Sequence, residues 1–252
     1  MLWYKAWFES RIRFGIALLV MVVACTAAVL FYDELKGAAT LTNSPDTYAA
    51  YVYRVFYQGF LRNVFIVFTF VLGMGGLLRE RELGTVSFTL ALPVTRRALL
   101  LNRALVGIVE LATLAAVPAA TLIVISPVTG HTYAWSQAVQ FAALWVAVGT
   151  VLFGVTFLAS ALFAGEYTAF LVAWVVFFGY TIGTQFVRLT MPTIRAHVWT
   201  LQEIMSGLHM RYFDPQSRML VGPLPVTELV ALVCVACALI FVATIRTTRS
   251  DF

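Results

Sequence analysis

The sequence predicts an all-α, polytopic membrane protein with six transmembrane helices, organised as a single transmembrane domain over residues 1–252. Three observations predict it. Apolar residues make up 61% of the chain and charged residues only 12%, whereas soluble domains are about 45–50% apolar and about 25% charged. Uncharged or nearly uncharged stretches long enough to cross a bilayer recur six times along the chain. The charged residues gather at the ends of these stretches, most densely in Arg79–Arg103, RERELGTVSFTLALPVTRRALLLNR, between two long apolar segments.

The chain begins with MLWYKAWFESRIR, in which Trp3, Tyr4, Trp7, Phe8 and Ile12 share one broad helical arc and Lys5, Glu9 and Arg13 the other. The charged arc is self-paired at i,i+4 spacing, and the aromatic arc suits the headgroup boundary, so residues 1–13 are expected to form an interfacial helix running into span 1. Arg11 falls on the apolar arc and has to snorkel. Span 1 is Phe14–Phe31, with Asp33, Glu34 and Lys36 marking the opposite surface. It has no small-residue cleavage site and is read as a span, not a signal peptide. Residues 37–53 read as a polar outer loop or short interfacial helix. Span 2 is expected from about Phe56 to Leu78, with Arg62 near its outer end and Gly73, Gly75 and Gly76 allowing close helix contact.

In the charged run, Thr85 to Leu92 reads as a short surface helix bracketed by Gly84 and stopped by Pro93. Thr95 can cap the helix beginning at Arg96. Span 3, Ala104–Ile125, carries Pro118 and, about 10 Å in from its start, Glu110. A carboxylate facing lipid there costs about 2.5–3.5 kcal/mol, so Glu110 is expected to face protein or a wet cavity, either as a gate or charge partner or as a structural hydrogen-bonding group. Span 4 is Ala138–Ala164. After the short turn Gly165-Glu166, span 5 is Tyr167–Val187. In the outer segment 188–223, Ile194, Val198, Leu201, Met205, Leu208 and Tyr212 recur at helical spacing, which predicts an amphipathic helix facing the membrane. Span 6 is Leu224–Ile245. Its Cys234 and Cys237 share a helix face, either packed as small apolar groups or able to hold a soft metal.

Charge fixes the expected orientation. Lys5, Arg11, Arg13, Arg79, Arg81, Arg96, Arg97, Arg103, Arg246 and Arg249 fall on one side. Lys36, Arg54, Arg188, Arg195, Arg211 and Arg218 fall on the other. The excess of basic residues belongs in the cytoplasm, which places both termini and residues 79–103 there, in the plasma (inner) membrane. The net charge of +5 sits at span ends and not in a stripe, which argues against a nucleic-acid partner.

Glu82, Gly84-Thr85, Leu90, Leu92-Pro93, Thr95-Arg96 and the basic Arg103 resemble the E-x-G-T…L-x-L-P-[ST]-R…[KR] signature of ABC-2 type transporter permeases. The topology is similar along essentially the whole chain, including the amphipathic N-terminal helix and a re-entrant segment between spans 5 and 6. The resemblance implies that residues 79–103 carry a coupling helix that docks on a separate ABC-type ATPase subunit. Glu82, Gly84, Thr85, Phe88, Leu92, Pro93 and Arg96 are the candidate coupling residues, and Glu166 lies near a minor contact.

No G-x-x-x-x-G-K-[ST] phosphate loop occurs in the chain, whose only lysines are Lys5 and Lys36, so no ATPase chemistry is recognisable in it. The expectation is a non-enzymatic permease subunit of an exporter, with no cofactor or metal of its own. ATP and Mg would be bound by the partner ATPase, and a second permease copy would complete a homodimer or a heterodimer. A membrane scaffold that recruits a cytosolic protein without transport is the competing reading.

Overall fold

The computed structural model describes residues 2–39, 47–74, 95–163, 165–191, 193, 198–208, 213–214 and 217–249. Its helices are α1 (Leu2–Leu30), α2 (Tyr32–Ala39), α3 (Tyr48–Val52), α4 (Phe60–Gly73), α5 (Arg96–Val124), α6 (Trp135–Leu162), α7 (Glu166–Thr190), α8 (Leu201–Met205) and α9 (Val226–Arg249). A π-helical turn, Tyr53–Tyr57, joins α3 to α4, and a two-residue ribbon pairs β1 (Phe213–Asp214) with β2 (Met219–Leu220). Six helical stretches are long and apolar enough to cross a membrane: Trp3–Leu30, Tyr48–Gly73, Arg97–Thr129, Trp135–Leu162, Tyr167–Thr190 and Val226–Thr248. The chain is a multi-pass membrane protein.

The bundle is built around α6. Its residues are apolar on every side, the pattern of a helix surrounded by protein, and buried positions run along it from Gln137 to Ser160. Helices α9, α5, α7 and α4 all pack against it, while α1 lies on α5 and α4. Two glycines let the neighbours come close. A Cβ at Gly73 would stand 2.7 Å from the Thr156 Cβ, and one at Gly107 would stand 2.5 Å from the edge of the Phe153 ring. By contrast α7 and α9 turn large apolar side chains outward, among them Leu171, Val175, Phe186, Val230 and Phe241. In a bilayer that is the surface for lipid or for another membrane chain.

Residues 1–13 run into span 1 in one unbroken helix, α1, of 29 residues, as the sequence predicts, while two other expectations are corrected. At 1.5 Å per residue it is about 43 Å long, longer than the roughly 30 Å hydrocarbon core, which is length enough for its first turns to stand beyond that core. There Tyr4, Phe8 and Ile12 are exposed and the Arg11 guanidinium lies 3.7 Å from the Phe8 ring centroid.

Span 2 starts earlier than expected. Thr47 accepts a hydrogen bond from the Ala50 N–H and starts α3. The tyrosines of the segment read as an outer loop or short interfacial helix are helical but packed into the bundle: Tyr51 donates to the Ala28 carbonyl at 2.7 Å, Tyr53 to the Ser206 carbonyl at 3.0 Å, and Tyr48 meets the Ser126 hydroxyl at 2.6 Å. A tyrosine buries its ring and needs only one partner for its hydroxyl, so a run of them counts as apolar inside a bundle.

The outer segment is not one amphipathic helix. Residues 198–200 are not helical, α8 spans only Leu201–Met205, and β1 and β2 pair further along the segment. The Thr200 and Glu203 side chains form a capping box that starts α8. Gly207, at φ 71°, takes the left-handed conformation that follows its end. Met205 faces the protein and is fully buried, not set against lipid. The ribbon is held by Gln137 of α6, whose amide donates to the Leu220 carbonyl at 2.5 Å and accepts from the Leu220 N–H at 2.8 Å.

Candidate functional site at the root of residues 75–94

The expected coupling residues Glu82, Gly84, Thr85, Phe88, Leu92 and Pro93, with the predicted helix Thr85–Leu92, lie outside the described residues. The two places where that stretch joins the bundle are described. It leaves from Met74 at the end of α4 and returns at Thr95, whose hydroxyl accepts from the Ala98 N–H at 3.3 Å and caps α5. Arg96 is the first residue of that helix.

A polar cluster surrounds the exit point. Lys5, Glu9 and Arg13 follow one another every four residues on α1, while Arg103, Gly107 and Glu110 lie on one face of α5 at i, i+4 and i+7. Helices α1 and α5 are packed together, so the two polar stripes meet. The Lys5 ammonium is 3.5 Å from one Glu9 oxygen, and the Arg103 guanidinium is 3.5 Å from the other. The Met74 carbonyl accepts from Arg13 Nη1 at 3.0 Å and from Arg103 Nη2 at 3.2 Å. Two guanidiniums thus hold the carbonyl of the residue that caps α4, where a helix end leaves acceptors unsatisfied and carries partial negative charge.

Glu110 sits one layer deeper and is 1% exposed. Ser10 of α1 donates its hydroxyl to Glu110 Oε1, while Glu110 Oε2 has no hydrogen-bond partner among the described residues. The carboxylate faces protein, and the walls around it are Ala6, Glu9, Ser10, Arg13, Leu72, Met74, Arg103, Val106 and Gly107. The charged arc of α1 therefore turns toward α5 for part of its length, through the exposed Glu9 and the half-buried Arg13, where its pattern alone places it opposite the apolar arc. The signal for this is the register of Glu9 and Arg13 with Arg103. Neither stripe shows it without knowledge of which helices pack.

The remaining candidates are scattered. The Gly165-Glu166 turn is as short as expected, with α7 beginning at Glu166. Cys234 and Cys237 are exposed free thiols on α9. No group of three or more His, Cys, Asp or Glu stands together among the described residues. His131 lies beyond the other end of α5 against the Tyr32 and Tyr48 rings, 4.7 Å from each centroid. Fifteen helical residues, about 22 Å, separate Glu110 from Ile125 at that end, so the two do not form an acid–base pair. The cluster at Met74 is a mechanical arrangement: charge-assisted hydrogen bonds that tie three helix ends together.

A family model described as ABC-2 family transporter protein matches residues 9–246 of the chain. No curated protein and no solved structure matches it.

Proposed function

Because the chain belongs to the ABC-2 family of transporter proteins, we propose that it is the permease subunit of an ATP-driven exporter, forming half of the translocation pathway. The observation that carries the reading is the extent of the match. Residues 9–246 take in nearly the whole of all six spanning helices and the charged stretch between α4 and α5. A membrane component without a phosphate loop draws its energy from elsewhere, so ATP and Mg belong to a separate ABC-type ATPase subunit. A second permease copy, identical or similar, supplies the other half of the pathway. The basic residues at the Met74 end of the bundle orient that end to the cytoplasm.

On this reading Thr85–Leu92 is the coupling helix. Gly84 and Pro93 set its bounds, and Phe88 and Leu92 are its grip on the ATPase. The two arginines on the Met74 carbonyl support the reading, since a lever that transmits force needs a fixed root. Removing a buried aromatic anchor from an interface commonly costs about 2 kcal/mol, some thirtyfold in affinity. Phe88→Ala is therefore expected to leave the six spans folded while releasing the ATPase or abolishing its stimulation. A pull-down and a hydrolysis assay on the reconstituted complex test this. Retention of both binding and stimulated hydrolysis in Phe88→Ala, Gly84→Pro and Leu92→Asp would remove the coupling role. A wild-type chain that binds an ATPase without altering its hydrolysis would instead be a scaffold.

A further inference from the structure

The cavity between α1, the end of α4 and α5 has about 20 Å³ of room for water centres, and about 10–15 Å³ suffices for one water. Its lining is unusually polar for a place inside a helix bundle, with Glu9, Ser10, Arg13, Arg103 and Glu110 all contributing. The decisive atom is Glu110 Oε2, buried with its residue at 1% exposure and bonded by no protein group among the described residues. A carboxylate oxygen left so costs several kcal/mol in a low-dielectric interior. The other oxygen is satisfied by Ser10. Neither guanidinium supplies the missing partner: Oε2 accepts from no protein donor among the described residues, and both Arg13 and Arg103 reach the Met74 carbonyl, Arg103 also Glu9.

We propose that this cavity binds one structural water, which donates to Glu110 Oε2 and makes the carboxylate, with Ser10, a hydrated polar joint between α1 and the two helix ends that flank residues 75–94. A buried water makes two to four hydrogen bonds to polar groups that protein cannot reach, and the walls here supply both donors and acceptors. A cation is a worse occupant, because two guanidiniums line the same cavity as the carboxylates. The joint stands independently of any ATPase, so its test and the test of the coupling reading fail separately.

The test is X-ray radiolytic footprinting of the full-length protein in lipid nanodiscs, with Met74 as the reporter. Met74 lines the cavity and is buried, and hydroxyl radicals formed from a bound water label the side chains beside it. The wild-type protein is expected to be labelled at Met74 well above other buried methionines such as Met21 and Met205. Glu110→Gln keeps a hydrogen-bonding group and is expected to keep the labelling, whereas Glu110→Leu is expected to lower it several-fold. Equal labelling of Met74 in Glu110→Leu and wild type overturns the proposal. Should Glu110→Leu fail to fold, a density map of the wild-type protein at a resolution that shows waters decides: an ordered peak within 3.2 Å of Oε2 upholds the site, and its absence overturns it.

Discussion

At the scale of residues, the ion pair at the other end of the bundle shows what two side chains can fix. Arg188, near the end of α7, donates to both Glu203 oxygens at 2.8 and 2.7 Å and to the Val198 carbonyl through Nε at 2.8 Å. Glu203 also accepts from the Thr200 N–H at 2.8 Å and the Thr200 hydroxyl at 2.9 Å. Partial burial on its own would raise the Glu203 carboxyl. The bonds from Arg188 and Thr200, with the Arg188 charge, outweigh it and hold the carboxyl below the ordinary glutamate range. A carboxyl depressed in the folded state stabilises the fold above its unfolded value, about 4.3, and that contribution is lost as pH falls through the lower folded value. Acidification is therefore expected to leave this latch intact down to about pH 4 and then to loosen α8. Trp199, whose ring lies 5.3 Å from the Arg188 guanidinium carbon, reports the change as the emission difference between wild type and Trp199→Phe. Glu203→Gln is expected to lack the acid step, and an unchanged acid profile in that variant would exclude the carboxyl as its source. The Thr200-x-x-Glu203 spacing is legible in the sequence as a helix start. Its pairing with Arg188 is not, because the partner stands fifteen residues away and only the fold brings it back.

Elements meet where side chains are missing. Gly107 of α5 lies under the ring of Phe153, itself 1% exposed, and an added Cβ would come within 2.5 Å of that ring. Overpacking of this kind costs about 1–3 kcal/mol, and the gain from replacing glycine by alanine in a helix is at most about 1 kcal/mol. Gly107→Ala is expected to lower thermal stability in detergent, and Phe153→Leu, which removes the ring, to restore part of the loss. Additive destabilisation in the double variant would show that the two positions do not touch. Gly73 against Thr156 is the same device, and its place in a glycine cluster at the end of span 2 makes it legible from sequence. Gly107 is one small residue among many in a long apolar run and carries no such signal. Element boundaries fail for a related reason. Tyr48, Tyr51 and Tyr53 resemble a polar loop by residue type, but the fold supplies each hydroxyl with one buried partner and so admits them to the membrane-spanning helix.

For the whole molecule, hydropathy alone gives the count of six crossings, because a bilayer tolerates backbone only where it is fully hydrogen-bonded and so demands long apolar helices. It does not order them around α6. That centre emerges from which helices are apolar on all sides and from the two glycine contacts, and the polar joint of α1, α4 and α5 exists only once α1 is laid on α5. Orientation rests on charge. The ten basic residues assigned to one side include Arg13 and Arg103, which the fold uses to hold Met74, so part of the charge on which the expected orientation rests also builds the cluster at that end. If the rule holds, residues 75–94 are cytosolic and the turn between β1 and β2 lies on the opposite side. A cysteine placed at Ser217, in that turn, is then expected to react with an impermeant maleimide in intact cells. One placed at Ser87 is expected to react only after permeabilisation. Cys25 is buried, Cys234 and Cys237 are exposed within the apolar helix α9, and a variant with all three replaced removes their background. Equal access at Ser87 and Ser217 would place both ends of the bundle on one side. An odd number of crossings between the two positions would then be impossible, and the spans α5, α6 and α7 that separate them could not all cross.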